Sequence, residues 1–197
     1  GEVYPCACSR TEIAACSPPR AVDGGLVYPG TCRNGLRGGR AARAWRLRVP
    51  DTTIAFGDRV QGRVEQNLDR AVGDFILLRA DGQYAYQLAV VVDDAAQGIN
   101  AVVRGVDLLD STPRQIWLQQ RLALATPTYA HLPVVTNACG EKLAKQTQAP
   151  AVDRSAGSAA LAAALRFLGH TVPQEISSGP LRDFWPWAIA AWSIERV

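Results

Sequence analysis

Tyr84-Ala-Tyr-Gln-Leu-Ala-Val-Val-Val92, running directly into Asp93-Asp94, is the stretch on which the fold turns. Together with Phe75-Ile-Leu-Leu-Arg-Ala80 it flanks Asp81-Gly82, a dipeptide suited to a type I′ turn, so the pattern predicts a β-hairpin. The second member becomes continuously apolar toward its end, as a strand buried on both faces does. That puts Asp93 and Asp94 at a strand's carboxyl end, where open α/β sheets hold their ligands. The chain therefore reads as α/β.

Downstream, Ala101-Val-Val-Arg104 predicts a short strand ahead of a loop at 105–110. Thr112-Pro-Arg-Gln115 predicts a helix start, with Thr112 as N-cap, Pro113 in the first helical position and Gln115 completing a capping box. Leu118, Leu122 and Ala125 supply its apolar stripe. Leu132-Pro-Val-Val-Thr136 reads as another strand, followed by Glu141-Lys142-Leu-Ala-Lys145-Gln146. Two lysines three apart after a strand suit a polyphosphate, although Lys-x-x-Lys alone is common. From Ser155 the tail reads as two helices, Ala159–Leu168 and Leu181–Ile194. Aromatic residues at 184, 185, 187 and 192 are expected to pack this tail onto the body.

Residues 1–50 are rich in Cys, Gly and Arg. From Arg33 to Val49 there are six arginines and no acid. Ala44-Trp-Arg-Leu-Arg-Val49 alternates as a half-buried strand does, which makes its arginines a solvated face or a surface for a phosphate backbone.

The bulk numbers exclude more than they assign. At 197 residues the chain holds one large domain or two small ones. A hydrophobic share of 48% and net charge of +3 suit a soluble globular protein with a slight lean toward nucleic acid. No apolar run reaches the roughly 18 residues of a membrane span. No signal peptide is visible, the first residue is Gly and Met is absent, so a processed or truncated product is expected.

Five cysteines, four of them between Cys6 and Cys32, favour metal binding in a reducing cytoplasm over a disulfide framework. Cys6-Ala-Cys8 with Cys32 supplies three thiolates for a tetrahedral zinc ion. Chemistry alone would take Cys16 as the fourth, since His131 and His170 lie far away in sequence. Cys139 reads as an inert buried thiol.

In order, Tyr84 to Asp94, Gly98-Ile99, Val103-Arg104-Gly-Val-Asp107, Ser111-Thr-Pro-Arg-Gln115 and the lysine segment after Gly140 resemble the glutamyl branch of the class I aminoacyl-tRNA synthetases. Lys-Leu-Ala-Lys-Gln stands where that family has its Lys-Met-Ser-Lys-Ser signature. The strings cover residues 84–146, and the Cys-rich start adds a second match. Only about fifty residues follow the lysine segment, too few for an anticodon-binding domain. The resemblance is therefore to the short paralogue that moves glutamate onto the queuosine base of tRNA(Asp).

The resemblance implies the second half of a Rossmann-type catalytic domain at 51–147, a zinc-binding insert at 1–50 and a helical tail at 148–197. It implies a ligase using ATP with Mg2+, glutamate and tRNA(Asp), in the cytoplasm. Lys145 and Lys142 would contact ATP phosphates, and Tyr86 and Arg104 would bind glutamate. One structural zinc would be held by Cys6, Cys8, Tyr28 and Cys32, with Tyr28 preferred to Cys16. Two departures stand out: the signature serine is Ala144, and the family's amino-terminal nucleotide-binding half has no counterpart here. Two other readings remain open at this level, a truncated glutamyl-tRNA synthetase charging tRNA(Glu) and a non-catalytic, zinc-stabilised RNA-binding module.

Overall fold

The structure, a computed structural model, describes residues 1–16, 24–36 and 38–197. It separates into two units. The first comprises Gly1–Val102 with Leu108–Tyr129, and the second Val103–Asp107 with Ala130–Val197.

The first unit holds an antiparallel three-stranded sheet in the order β1-β2-β5, from Val3–Cys6, Ala44–Leu47 and Phe75–Leu78. Register shifts between Trp45 and Arg46, a bulge that breaks the alternation of sides. Arg46 is consequently buried at 6% exposure while Trp45 is 42% exposed, the reverse of the solvated-arginine expectation. The short helix α1, Arg10–Cys16, precedes β2. A hairpin of β3, Thr53–Asp58, and β4, Gly62–Asn67, pairs six residues on each side. Asp58 holds its turn by accepting from the Val60 and Gln61 amides. These two strands have weak periodicity, which hides them in the sequence. The one-turn helix α2, Leu68–Ala71, follows, capped by Asn67 accepting from Arg70 N.

The predicted hairpin forms only at its root. Asp81-Gly82 does turn, with Gly82 at φ +79° and Arg79 N donating to Gln83 O, and Leu78 bridges Tyr84. Beyond Ala85 the chain is not a strand but helix α3, Tyr86–Ala96. Leu88 and Val91, three apart, face the core, whereas Val92 is exposed, so the apolar run has a helical period despite its three valines. Asp93 and Asp94 thus sit on a helix rather than at a strand end.

The strand at β6, Ala101–Gly105, is present, and the following 106–111 segment is a 3-10 helix rather than a loop. It runs into α4, Thr112–Arg121, so Ser111 occupies the N-cap with helical angles and no capping box forms. Gln115 instead donates its amide to Gln87 on α3. Of the expected stripe only Leu118 is buried; Leu122 lies at the helix end and Ala125 beyond it, both exposed. The core of this unit gathers Leu47, Leu68, Phe75, Val91, Ile116 and Leu118.

Strand β7 spans Thr128–Leu132, four residues upstream of its predicted place, and pairs parallel with β3 through Asp58 and Tyr129. Pro133 ends it, lacking the amide a ladder needs. The sheet order is β4-β3-β7-β6, and both β6 and β7 run from the first unit into the second.

In the second unit the tail forms α5, Gly157–Phe167, α6, Gln174–Ser178, and α7, Leu181–Ala191. Phe184 is the buried centre of their core with Ala162, Val172 and Ala188. Trp185 is half exposed, and Trp192 stacks on His170 at 4.8 Å, so the four aromatics do not share one buried face. Among the described residues no helix is long and apolar enough to cross a membrane.

Candidate metal centre and ligand-binding residues

Cys6 ends β1 and Cys8 follows after the buried Ala7. The knuckle is fixed from both sides. Ser9 and Glu12 cap α1 reciprocally, Ser9 N donating to the Glu12 carboxylate and Glu12 N to the Ser9 hydroxyl. Arg40 pairs with Glu12 at 2.9 Å and donates to Ala7 O, while Arg43 N donates to Cys6 O. With Arg40 and Ser9 beside it, the Glu12 carboxyl is held down to about 2.

Tyr28 arrives from another segment. Its amide donates to Val72 O and it bridges Gly73, whose φ is +73°. A side chain on Gly73 would overlap the Tyr28 backbone, so glycine is what lets the two strands of chain touch. A turn at Gly30 then brings Cys32 back, and the Cys32 amide donates to the Tyr28 hydroxyl at 2.9 Å.

The Cys6, Cys8 and Cys32 sulfurs all lie within 4.8 Å of one another. Cys8 and Cys32 sulfurs are 3.6 Å apart, and the Tyr28 hydroxyl is 3.4 Å from Cys6 Sγ and 3.7 Å from Cys8 Sγ. Two thiolates on one tetrahedral zinc stand about 3.7 Å apart and a thiolate and an oxygen about 3.5 Å, so the donor set fits such an ion. Cys16 lies exposed at the end of α1, outside this group.

Arg46 covers the group. Its guanidinium carbon lies 3.8 Å above the Tyr28 ring and its Nη1 donates to Asp74 O at 2.7 Å, whereas its buried Nε has no partner among the described residues. Burial pushes the Cys6 thiol up, but the bonds with Tyr28 and Arg46 outweigh it and bring it down to about 7. Burial, helped by the Cys32 bond and the nearby Cys6 and Cys32 charges, pushes Cys8 up to about 11. Burial and the bonds with Cys6 and Cys32 raise the Tyr28 phenol well above its ordinary value.

Part of the arginine run is engaged within the protein, while Arg43 and Arg48 are exposed. Arg33 is bound to Asp69 and Asp74, Arg40 to Glu12, and Arg46 is buried; Arg37 lies outside the described residues.

In the second unit, Thr136 bridges Lys142 and Leu143 N donates to Val135 O, closing a small loop. Lys142 pairs with Asp107 at 2.6 Å. Lys145 opens a 3-10 turn in which the Thr147 hydroxyl accepts from Ala144 N and donates back to Ala144 O. A hydroxyl therefore serves this loop from 147, although the signature serine is Ala144. Cys139, expected buried, is exposed beside the loop's tip.

Arg104 sits on β6, and its Nε donates to His131 Nε2 at 3.0 Å. Tyr86, half exposed, opens α3 in the first unit. His131 and Asp74 carried no local sequence signal, because the partners that define them lie 25 to 70 positions away.

The family described as tRNA synthetases class I (E and Q), catalytic domain, matches residues 31–174. The chain is 60% identical over all 197 residues to the glutamyl-Q tRNA(Asp) synthetase of Dechloromonas aromatica. It is 54% identical to that of Thiobacillus denitrificans. It spans 65% of the length of each of these relatives. Among solved structures, glutamate-tRNA synthetase from Elizabethkingia anophelis superposes with a TM-score of 0.68 at 18% identity, covering 100% of this chain and 46% of that one. That likeness is one of fold: α/β, with the sheets and helices of such an enzyme.

Proposed function

This chain belongs to the class I tRNA synthetases of the glutamate and glutamine branch, and from that membership we propose that it works in the ATP-dependent transfer of glutamate to the queuosine base at the wobble position of tRNA(Asp). The observation that carries the reading is its 60% identity, along its whole length, with a relative named glutamyl-Q tRNA(Asp) synthetase.

In this reading a glutamate carboxylate oxygen attacks the α-phosphorus of ATP, with Mg2+ on the phosphates. The bond to the β-phosphate bridge breaks, pyrophosphate leaves and glutamyl-adenylate forms. The glutamyl group then passes to queuosine as AMP departs. Positioning and cationic stabilisation of the leaving group carry most of the acceleration. Lys145 and Lys142 are proposed to meet the phosphates, and Lys142 then exchanges Asp107 for ATP. Arg104 is proposed to grip a glutamate carboxylate at two points, and Tyr86 is likewise proposed as a glutamate-binding residue. Zinc on Cys6, Cys8, Tyr28 and Cys32 would hold the insert 1–50 together, with 51–147 as the catalytic part and 148–197 as a helical tail. A thiolate site of this kind belongs in the reducing cytoplasm.

Labelled glutamate and the purified full-length protein test the reading, with tRNA(Asp) carrying or lacking queuosine and with tRNA(Glu). Incorporation is expected only into queuosine-containing tRNA(Asp). Labelling of tRNA(Glu), or indifference to queuosine, would overturn it.

A further inference from the structure

We propose that His131 is a positioning residue for Arg104, holding the guanidinium in the orientation from which it meets a carboxylate; the inference rests on the reading of Arg104 as a glutamate contact. His131 is on β7, Arg104 on β6, and both belong to the second unit.

His131 has 0% exposure, and its Nε2 lies 3.0 Å from Arg104 Nε. Arg104 Nε can only donate, so His131 Nε2 accepts and the ring's proton lies on Nδ1. An acceptor at Nε acts on the whole guanidinium because the group is planar: it sets the plane and the direction of the outer Nη1–Nη2 edge. With Nε so engaged, the two-point grip falls to that outer edge, giving an end-on approach of the carboxylate. An arginine alone has many rotamers, and ordering them on binding costs affinity. A buried ring on a strand is a rigid support for it. The ordinary alternative is that His131 only fills the core, in which case its hydrogen-bonding atom would not matter.

The test uses the full-length protein with His131→Leu, His131→Gln and Arg104→Ala. Gln can place an amide oxygen near the Nε2 position, whereas Leu keeps bulk without an acceptor. His131→Leu is expected to raise the KM for glutamate on the order of tenfold, with the KM for ATP and the thermal midpoint close to wild type. His131→Gln is expected to restore most of the loss. Should Arg104→Ala leave the glutamate KM unchanged, the reading of Arg104 itself falls. Should Arg104→Ala raise it while the Leu variant does not, or should Leu and Gln behave alike, the positioning role falls and the reading of Arg104 stands. If the Leu variant does not fold, nitrogen-15 histidine labelling of the wild type decides. Saturating glutamate should move the His131 Nε2 resonance, and an unmoved resonance overturns the inference.

Discussion

Asp74 shows how much one side chain can hold. It has no exposed surface, and its carboxylate accepts from the Tyr4 hydroxyl, from Arg33 Nε and Nη2 and from the Val49 amide. Burial by itself would raise its pKa, but the Arg33, Tyr4 and Val49 donors outweigh burial and lower it. A carboxyl depressed in the folded state adds stability above its unfolded value, about 3.9, and loses it as pH falls through the folded value. Urea midpoints are therefore expected to fall below about pH 4, more steeply in wild type than in Asp74→Asn. Equal slopes would remove Asp74 from the account. At neutral pH Asp74→Ala should cost about 3 kcal/mol, because Arg33 and the Val49 amide lose a buried partner. None of this was legible in the sequence, since the three donors lie 70, 41 and 25 positions away. Tyr28 was legible only through the family's spacing, and the thiols through their own clustering.

At the scale of elements, local pattern read well where the chain turns or breaks. Asp81-Gly82, the strand at 101, the helix at 112 and the two tail helices all follow from turn, proline or helix-forming residues. It failed at Tyr84–Val92, where three valines favour a strand locally but Leu88 and Val91 find their core only on a helix. The bulge at Trp45 and Arg46 was equally invisible, because it is set by the partner strand β5. Gly73 joins two elements in the same nonlocal way. Gly73→Ala is expected to destabilise the protein by roughly 2 kcal/mol and to lower its zinc content, combining a positive φ with a backbone overlap. Gly82→Ala, at φ +79° with open space around it, should cost about half as much and leave metal content alone. Thermal unfolding and atomic emission measure both, and similar zinc loss in the two variants would contradict the role of Gly73.

For the whole molecule, the two units predict two responses to one treatment. A metal on Cys6, Cys8, Tyr28 and Cys32 ties the segment at 1–16 to that at 24–36, entirely within the first unit. Chelation is expected to speed amide exchange in those segments while α5 and α7 exchange as before. Tyr28→Phe should reproduce part of that change and Cys16→Ser none of it. Uniform loosening would count against the assignment. The same architecture bears on engineering. The thiol and phenol donors are steadied by Arg46 on β2 and by Gly73 and Asp74 just before β5, and not only by their immediate neighbours in the chain. A peptide copied from residues 1–36 would carry every donor but lack Arg40, Arg46, Gly73 and Asp74. Transplanting this centre into another scaffold therefore means moving a three-stranded sheet, not a motif.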